Sequence, residues 1–240
     1  MVELTLLGSA ELRGIEGDAD VILTQSKVLA TLVFLVLATP RGFHRRDRLV
    51  GLLWPELDQE HARTALRKAV HVLRRTLGEG VLTTRGDEDV AITPGAISCD
   101  AMEFGEAVEA RRYAGALDLY RRGDLLPGFF IPQAGGFEDW LDRERTALRD
   151  AASAAAWGLA ALHAGDAQLT AAGRYARMAV ELAPADERIL RRVMQLLNAG
   201  GDRAGALHVY ADFAYRLERE HGAMPSGETQ RLVEVIRKAD

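Results

Sequence analysis

Nine Lys and Arg residues stand between Arg41 and Arg75 against four acids, Asp47, Glu56, Asp58 and Glu60, in a chain whose formal net charge is -5. The densest part of this basic excess, DQEHARTALRKAVHVLRRTLG from Asp58 to Gly78, has helical spacing. Ala62, Leu66, Ala69, Val70, Leu73 and Leu77 share one apolar arc of a 3.6-residue wheel, and Arg63, Arg67, Lys68, His71, Arg74 and Arg75 fall on the arc beside it, with Thr64 among them. Guanidinium and ammonium groups arrayed in this way can bind phosphates and read the acceptor edges of guanine in a major groove. Arg67, Lys68, His71 and Arg75 lie farthest from the apolar arc and are the candidates for base edges; Arg63 and Arg74, nearer its border, suit phosphates. The competing reading is a solvated face laced with i,i+4 ion pairs, but few acids share the basic arc, and unpaired like charges repel. Arg45, Arg46 and Arg48 form a second basic cluster that either reaches phosphates or is ordinary exposed charge.

Catalytic equipment is thin by comparison. The chain has no Gly-x-x-x-x-Gly-Lys-Ser/Thr phosphate loop, no Gly-x-Gly-x-x-Gly and no Gly-x-Ser-x-Gly elbow. His44, His61, His71, His163, His208 and His221 are scattered without a His-x-x-x-His pair or a cysteine partner, so no metal or cofactor is expected. Glu138-Asp139 opens a helical stretch, where the helix dipole accounts for it. Trp54, Trp140 and Trp157 read as core anchors, because none is interleaved with basic residues as a single-strand binder requires. An enzyme is therefore the least supported class. The lone Cys99 excludes an internal disulfide framework and fits a reducing cytoplasm. No apolar run approaches the roughly 18 residues of a membrane span, and no signal-peptide pattern opens the chain.

The elements that must position the basic stretch follow from the flanking pattern. Glu3–Leu7, Glu11–Arg13 and Val21–Leu23 read as strands of a small antiparallel sheet. Ser26 is placed to cap a helix that runs to about Ala38, ended by Thr39-Pro40. A short helix from Arg45 to Trp54 stops at Pro55, Asp58 can cap the basic helix, and Val81–Arg85 and Val90–Ile92 flank Gly86-Asp87-Glu88-Asp89 as a hairpin. Sheet, three helices and hairpin is the order of a winged helix, and Thr93-Pro94-Gly95-Ala96 reads as the joint that follows it. From Cys99 onward the pattern is helical and Ala-rich. Ala171/Ala206, Tyr175/Tyr210, Ala176/Ala211, Ala179/Ala214 and Leu182/Leu217 match at an offset of 35, close to the 34 of tetratricopeptide units, with Gly165-Asp166 and Gly201-Asp202 as corners before the second helix of each pair. Tyr113 to Tyr120 reads as a degenerate copy. The expected architecture is mostly α with a small β component: a winged helix-turn-helix domain over residues 1–97, then an all-α tetratricopeptide-like domain over 98–240.

Leu49 to Trp54 with Pro55, the run from Leu66-Arg67 through Leu73-Arg74-Arg75 to Leu77-Gly78, Cys99-Asp100, Leu125-Leu126-Pro127-Gly128-Phe129, Trp140-Leu141-Asp142-Arg143-Glu144-Arg145 and the closing Glu220-His221-Gly222-Ala223-Met224-Pro225-Ser226 occur in this order along the chain. Together they resemble the regulators that join an OmpR-type winged helix to a bacterial transcriptional activator domain, as in pathway-specific antibiotic regulatory proteins. The resemblance covers essentially the whole chain. It implies a sequence-specific, double-stranded DNA-binding transcription activator whose helical domain contacts RNA polymerase or a sister protomer, with no membrane partner. Two positions depart from the pattern. Val72 stands where many relatives carry a polar or basic residue, and the hairpin tip Asp87-Glu88-Asp89 is acidic where a wing pressed on phosphates avoids negative charge. Thr83, Thr84 and Arg85 are then the remaining wing contacts. The acidic net charge, Val72 and the acidic tip also sustain an alternative: a protein-interaction scaffold that uses the helical repeat groove, its winged helix no longer binding DNA.

Overall fold

A computed structural model describes residues 1–15 and 17–238. The chain divides into two compact units, one of residues 1–106 with 118–148, the other of residues 107–117 with 149–240.

The first unit is built around a three-stranded sheet in which β1 (Val2–Thr5) is central. It pairs antiparallel with β2 (Glu11–Arg13), Leu4 opposite Leu12, and parallel with β6 (Ile97–Cys99), Leu4 opposite Cys99. The third strand is thus not Val21–Leu23, which forms α1 (Asp20–Leu23), a single turn with Ile22 fully buried. A three-residue apolar run carries no periodicity that separates strand from helix, and here the Asp18 carboxylate accepts the Asp20 amide at 3.0 Å and starts a turn. α2 (Ser26–Leu37) follows; its N-cap is Gln25 rather than Ser26, and Val28 to Val36 are buried on every side of the helix. Such all-round burial marks α2 as the axis of the unit. Arg45, expected to open the next helix, instead ends β3 (His44–Arg45), and α3 (Arg46–Leu53) begins one residue later. α4 (Gln59–Leu77) leads into the hairpin β4 (Leu82–Arg85) and β5 (Asp89–Ile92), which with β3 forms a second sheet of order β3-β5-β4. Gly86 takes a φ of +56° at the hairpin tip, a conformation that favours glycine.

Residues beyond 97 belong to the same unit. Thr93 to Ala96 is a turn that delivers the chain into β6, so the sequence-predicted limit at residue 97 runs through a strand. α5 (Asp100–Glu109) then starts at a buried carboxylate. Asp100, 6% exposed, accepts backbone N–H groups from Leu6 at 2.8 Å, Leu7 at 3.2 Å and Ala101 at 2.8 Å, with the Arg122 guanidinium 3.6 Å away. A second clamp has the opposite sign. Arg145 donates to the carbonyls of Leu125, Leu126 and Phe129 and is paired with Asp142. On the same stretch, Trp140 packs its ring 4.8 Å from that of Phe34 on α2, and Phe137 lies 5.3 Å from Trp140.

The second unit holds the repeat. α6 (Tyr113–Tyr120) contributes the Tyr113 ring, which lies against Gly158 of α7 (Gly135–Gly165), where any Cβ would collide with it. α8 (Leu169–Leu182), α9 (Glu187–Ala199), α10 (Arg203–His221) and α11 (Gly227–Lys238) pack in succession. Of the repeated alanines, Ala176, Ala179 and Ala206 are completely buried between helices, whereas Ala171 and Ala214 are half-buried and Ala211 is exposed, so close helix approach uses only part of the repeat. Asp186 and Asp202 cap α9 and α10 through their carboxylates; at the corresponding corner before α8 the N-cap is Gln168, which makes no such bond. The architecture is a winged helix joined to a tetratricopeptide-like helical domain.

Asp100→Ala leaves the buried Leu6 and Leu7 amides without an acceptor and is expected to cost on the order of 3 kcal/mol in urea denaturation. Asp118→Ala, on an exposed ion pair with Arg121, should stay within about 0.5 kcal/mol of the parent. Equal stability of the two variants would show that the buried carboxylate does not hold β1 to α5.

Candidate nucleic-acid interface

α4 is fixed from both ends and along one side. The Asp58 carboxylate accepts the amides of Glu60 and His61, both at 3.1 Å, and meets the His61 ring at 2.6 Å. The hydrogen bonds from the His61 amide and ring, with a smaller one from Glu60, hold the Asp58 carboxyl below its ordinary range against a slight desolvation. Ala62, Leu66, Ala69, Val70, Leu73 and Leu77 are buried, as the spacing requires, and Thr76 is buried with them. Ahead of the helix, Lys27 bonds Glu56 at 2.5 Å and lies over the Trp54 ring, tying the α3–α4 turn to α2. Arg63 bonds Asp47 of α3 at 3.0 Å, and Arg74 donates to the Thr84 hydroxyl of β4 at 3.4 Å.

This anchoring sorts the sequence-predicted residues into two groups. Arg67, Lys68, His71 and Arg75 are exposed, and none has a hydrogen bond or ion pair among the described residues; Thr64 is half-buried beside them. The other candidates are engaged within the unit. Arg63 and Arg74 carry the contacts just named. Arg45 pairs with Glu88 at 3.0 Å, Arg48 lies 5.2 Å from the centre of the Phe34 ring, and Arg85 lies 4.2 Å from that of Phe43. Arg46 is half-buried; its amide donates to the Glu88 carbonyl at 2.8 Å, and its Nε is buried with no hydrogen-bond partner among the described residues. Thr83 is half-buried on β4, and Val72 is half-buried on the flank of α4.

Asp47, Glu88 and Phe43 were missed by sequence reasoning. The charge count around Arg45 and Arg63 could have suggested acidic partners. That β3 would bring Arg45 opposite Asp89 and beside Glu88 had no local signal, because the pairing joins segments more than forty residues apart.

His44 is buried, 5.3 Å from Phe34, and burial together with the nearby Arg48 charge pushes its pKa down. Burial pushes the Cys99 thiol up to about 12, far from a reactive thiolate. Glu138 reaches back from the first turn of α7 to accept the Ile131 amide at 2.7 Å. Among the described residues there is no group of His, Cys, Asp or Glu that could hold a metal and no helix long and apolar enough to cross a membrane. The His221 side chain lies outside the described residues.

Residues 98–237, more than half of the chain, match the family described as the bacterial transcriptional activator domain. The chain belongs to that family. It is also similar to the regulatory protein AfsR of Streptomyces coelicolor, 28% identical over 237 residues; the match takes in 93% of this chain and only 23% of AfsR. Among solved structures it is similar to Mycobacterium tuberculosis EmbR, determined in complex with a low-affinity phosphopeptide, with a TM-score of 0.57, 20% identity and coverage of 99% of this chain and 65% of that one. The EmbR likeness concerns the fold alone. The family domain begins at Ser98, inside β6, and Asp100, Arg122, Trp140 and Arg145 all lie within it. Family markers noted in the sequence thus include the residues that close the first compact unit.

Asp58→Ala is expected to fray the first turn of α4, seen as faster hydrogen exchange at the Glu60 and His61 amides. Acid should lower the protection factors of the same amides, measured against their intrinsic exchange rates at each pH. A carboxyl held below its ordinary pKa contributes its protection fully above that ordinary value, near pH 4, and loses it as pH falls through the lower folded value. Unchanged protection factors in the variant, and on acidification through the folded Asp58 titration, would exclude the cap.

Proposed function

We propose that this chain is a sequence-specific, double-stranded DNA-binding transcription regulator of the activator type, with residues 1–97 supplying the DNA-binding surface and α4 lying in the major groove. The observation that carries this reading is the row Arg67, Lys68, His71 and Arg75, exposed and unneutralised on a helix capped at its start and buried along its opposite face. Unpaired cations on a rigid helix are predisposed to a polyanion, because no internal salt bridge must break before they bind. Arg67, Lys68, His71 and Arg75 then face bases. Arg63 and Arg74, held by Asp47 and Thr84 near the edges of the groove-facing arc, are placed for phosphates, with Thr64 between the two sets. Arg45, Arg46, Arg48, Thr83 and Arg85 form the flanking backbone contacts from α3 and the wing.

The helical domain supplies the second half of the activity. Its repeat helices present a groove lined by Arg177, Glu181, His208, Asp212, Tyr215 and Arg216, a mixed-charge surface suited to RNA polymerase or a second copy of this chain. Membership of the activator-domain family and the likeness to AfsR, itself a regulatory protein, support this reading. Access to DNA places the chain in the cytoplasm.

Duplex binding as a function of salt tests the proposal. Neutralising about five phosphates gives a log-log slope of roughly -4.5, and Arg63→Ala with Arg74→Ala, the phosphate-facing pair, should flatten it by about 1.8, whereas Arg67→Ala with Arg75→Ala should reduce the preference for specific over random duplex. No binding to duplex fragments at low salt would overturn the DNA reading. Co-purification of a protein partner with such a non-binding chain would favour the scaffold alternative.

A further inference from the structure

The exposed acidic wing tip lies beside basic groups of α3 and α4. Between the N-terminus of α3, the first half of α4 and the hairpin tip is a polar cavity of about 470 Å³ lined by Arg46, Arg63, Arg67, Asp47, Asp87 and Glu88. Three guanidinium groups and three carboxylates therefore face one another across a single concavity. Asp47 holds Arg63 at 3.0 Å, Glu88 holds Arg45 at 3.0 Å, and the Glu88 carbonyl accepts the Arg46 amide at 2.8 Å. The buried Arg46 Nε has no acceptor among the described residues, so the guanidinium cluster retains unused donor capacity.

Both members of each of these side-chain pairs are more than half exposed, and exposed pairs contribute little to folding. Their effect on an incoming polyanion is larger. A carboxylate seated between arginines offers the same oxygen acceptors as a phosphate and must be displaced, or tolerated as a like charge, when a phosphate arrives. We propose that Asp47, Asp87 and Glu88 act as built-in phosphate mimics that compete with the DNA backbone for Arg45, Arg46 and Arg63, so that this flank of the interface is a restrained phosphate subsite. The inference rests on the DNA reading and adds a direction to it. Backbone affinity is held down at the α3–wing flank, and discrimination shifts to the unneutralised Arg67-to-Arg75 row, where base edges are read.

The test measures the full chain binding a 20-base-pair duplex of random sequence by fluorescence anisotropy. Asp87→Asn with Glu88→Gln should tighten Kd about tenfold and steepen the salt slope by roughly one, as a freed arginine takes up a phosphate. Glu3→Gln with Glu11→Gln, an equal charge change on exposed positions of β1 and β2, should tighten it no more than about twofold by screened long-range attraction. Arg45→Ala should also weaken binding at least about threefold more in the wing variant than in the parent, because Glu88 no longer occupies that arginine. Equal tightening by the wing and control variants, or additive effects of Arg45→Ala and the wing change, would overturn the inference while leaving DNA binding intact. Absence of binding by every variant would overturn the DNA reading and this inference with it.

Discussion

A buried carboxylate and a half-buried guanidinium close the first unit, and the position of everything else in it depends on them. After β1 the chain leaves regular pairing at Leu6 and Leu7, both buried, and their amides find an acceptor in Asp100, ninety-odd residues later. The loop from Leu125 to Phe129 has the complementary problem of carbonyls turned inward, and Arg145 answers three of them with one planar fork. Irregular backbone can be buried only if its polar groups are met by side chains of fixed geometry. Asp100 and Arg145 do this at two adjoining loops, which are themselves joined by the Gly8 amide to the Asp124 carbonyl and the Leu126 amide to the Leu6 carbonyl. Residues 118–148 are thereby part of the body that carries the basic helix.

That closure determines which way α4 faces. Phe34 of α2 is covered by Trp140 on one side and touched by His44 and Arg48 on others, and α2 is buried from Val28 to Val36. The apolar stripe of α4 is buried in this core, and Lys68, His71 and Arg75 of the polar arc are left to solvent. The pairs at its borders, Arg63 to Asp47 and Arg74 to Thr84, add direction more than energy, since each ties one edge of the helix to a neighbouring element.

What could be read in advance separates cleanly by sequence distance. The Asp58 cap, the apolar stripe of α4, the Gly86 hairpin and the alanine-lined repeat helices are all encoded within a few residues, and each stands where local pattern put it. Misread elements depend on remote pairing. Ile97–Cys99 has strand character only because β1 offers it an edge, Arg45 is in a strand only because β5 lies opposite, and the place beside β1 expected for Val21–Leu23, which form a helical turn, is taken by β6. The candidate site shows the same split. Periodicity identified the cationic residues of α4, whereas their sorting into neutralised and free groups depends on Asp47, Glu88, Phe43 and Phe34, which approach through tertiary structure.

The acidic net charge and the basic helix are compatible for a physical reason. Exposed charges separated by more than a Debye length, about 8 Å at physiological salt, scarcely sense one another, so net charge alone does not set the field at α4. Nearby carboxylates do matter, and they are unevenly placed. Asp47, Asp87 and Glu88 gather at the α3–wing flank of α4, while Lys68, His71 and Arg75 farther along the helix have no acid paired to them among the described residues. The surface therefore has a graded rather than uniform potential, strongest where helix side chains alone project and weakest where the hairpin tip folds over. Uniformly basic surfaces bind any polyanion through counterion release, and such binding carries no sequence information. A surface whose free cations are confined to one row can make its attraction depend on what that row meets.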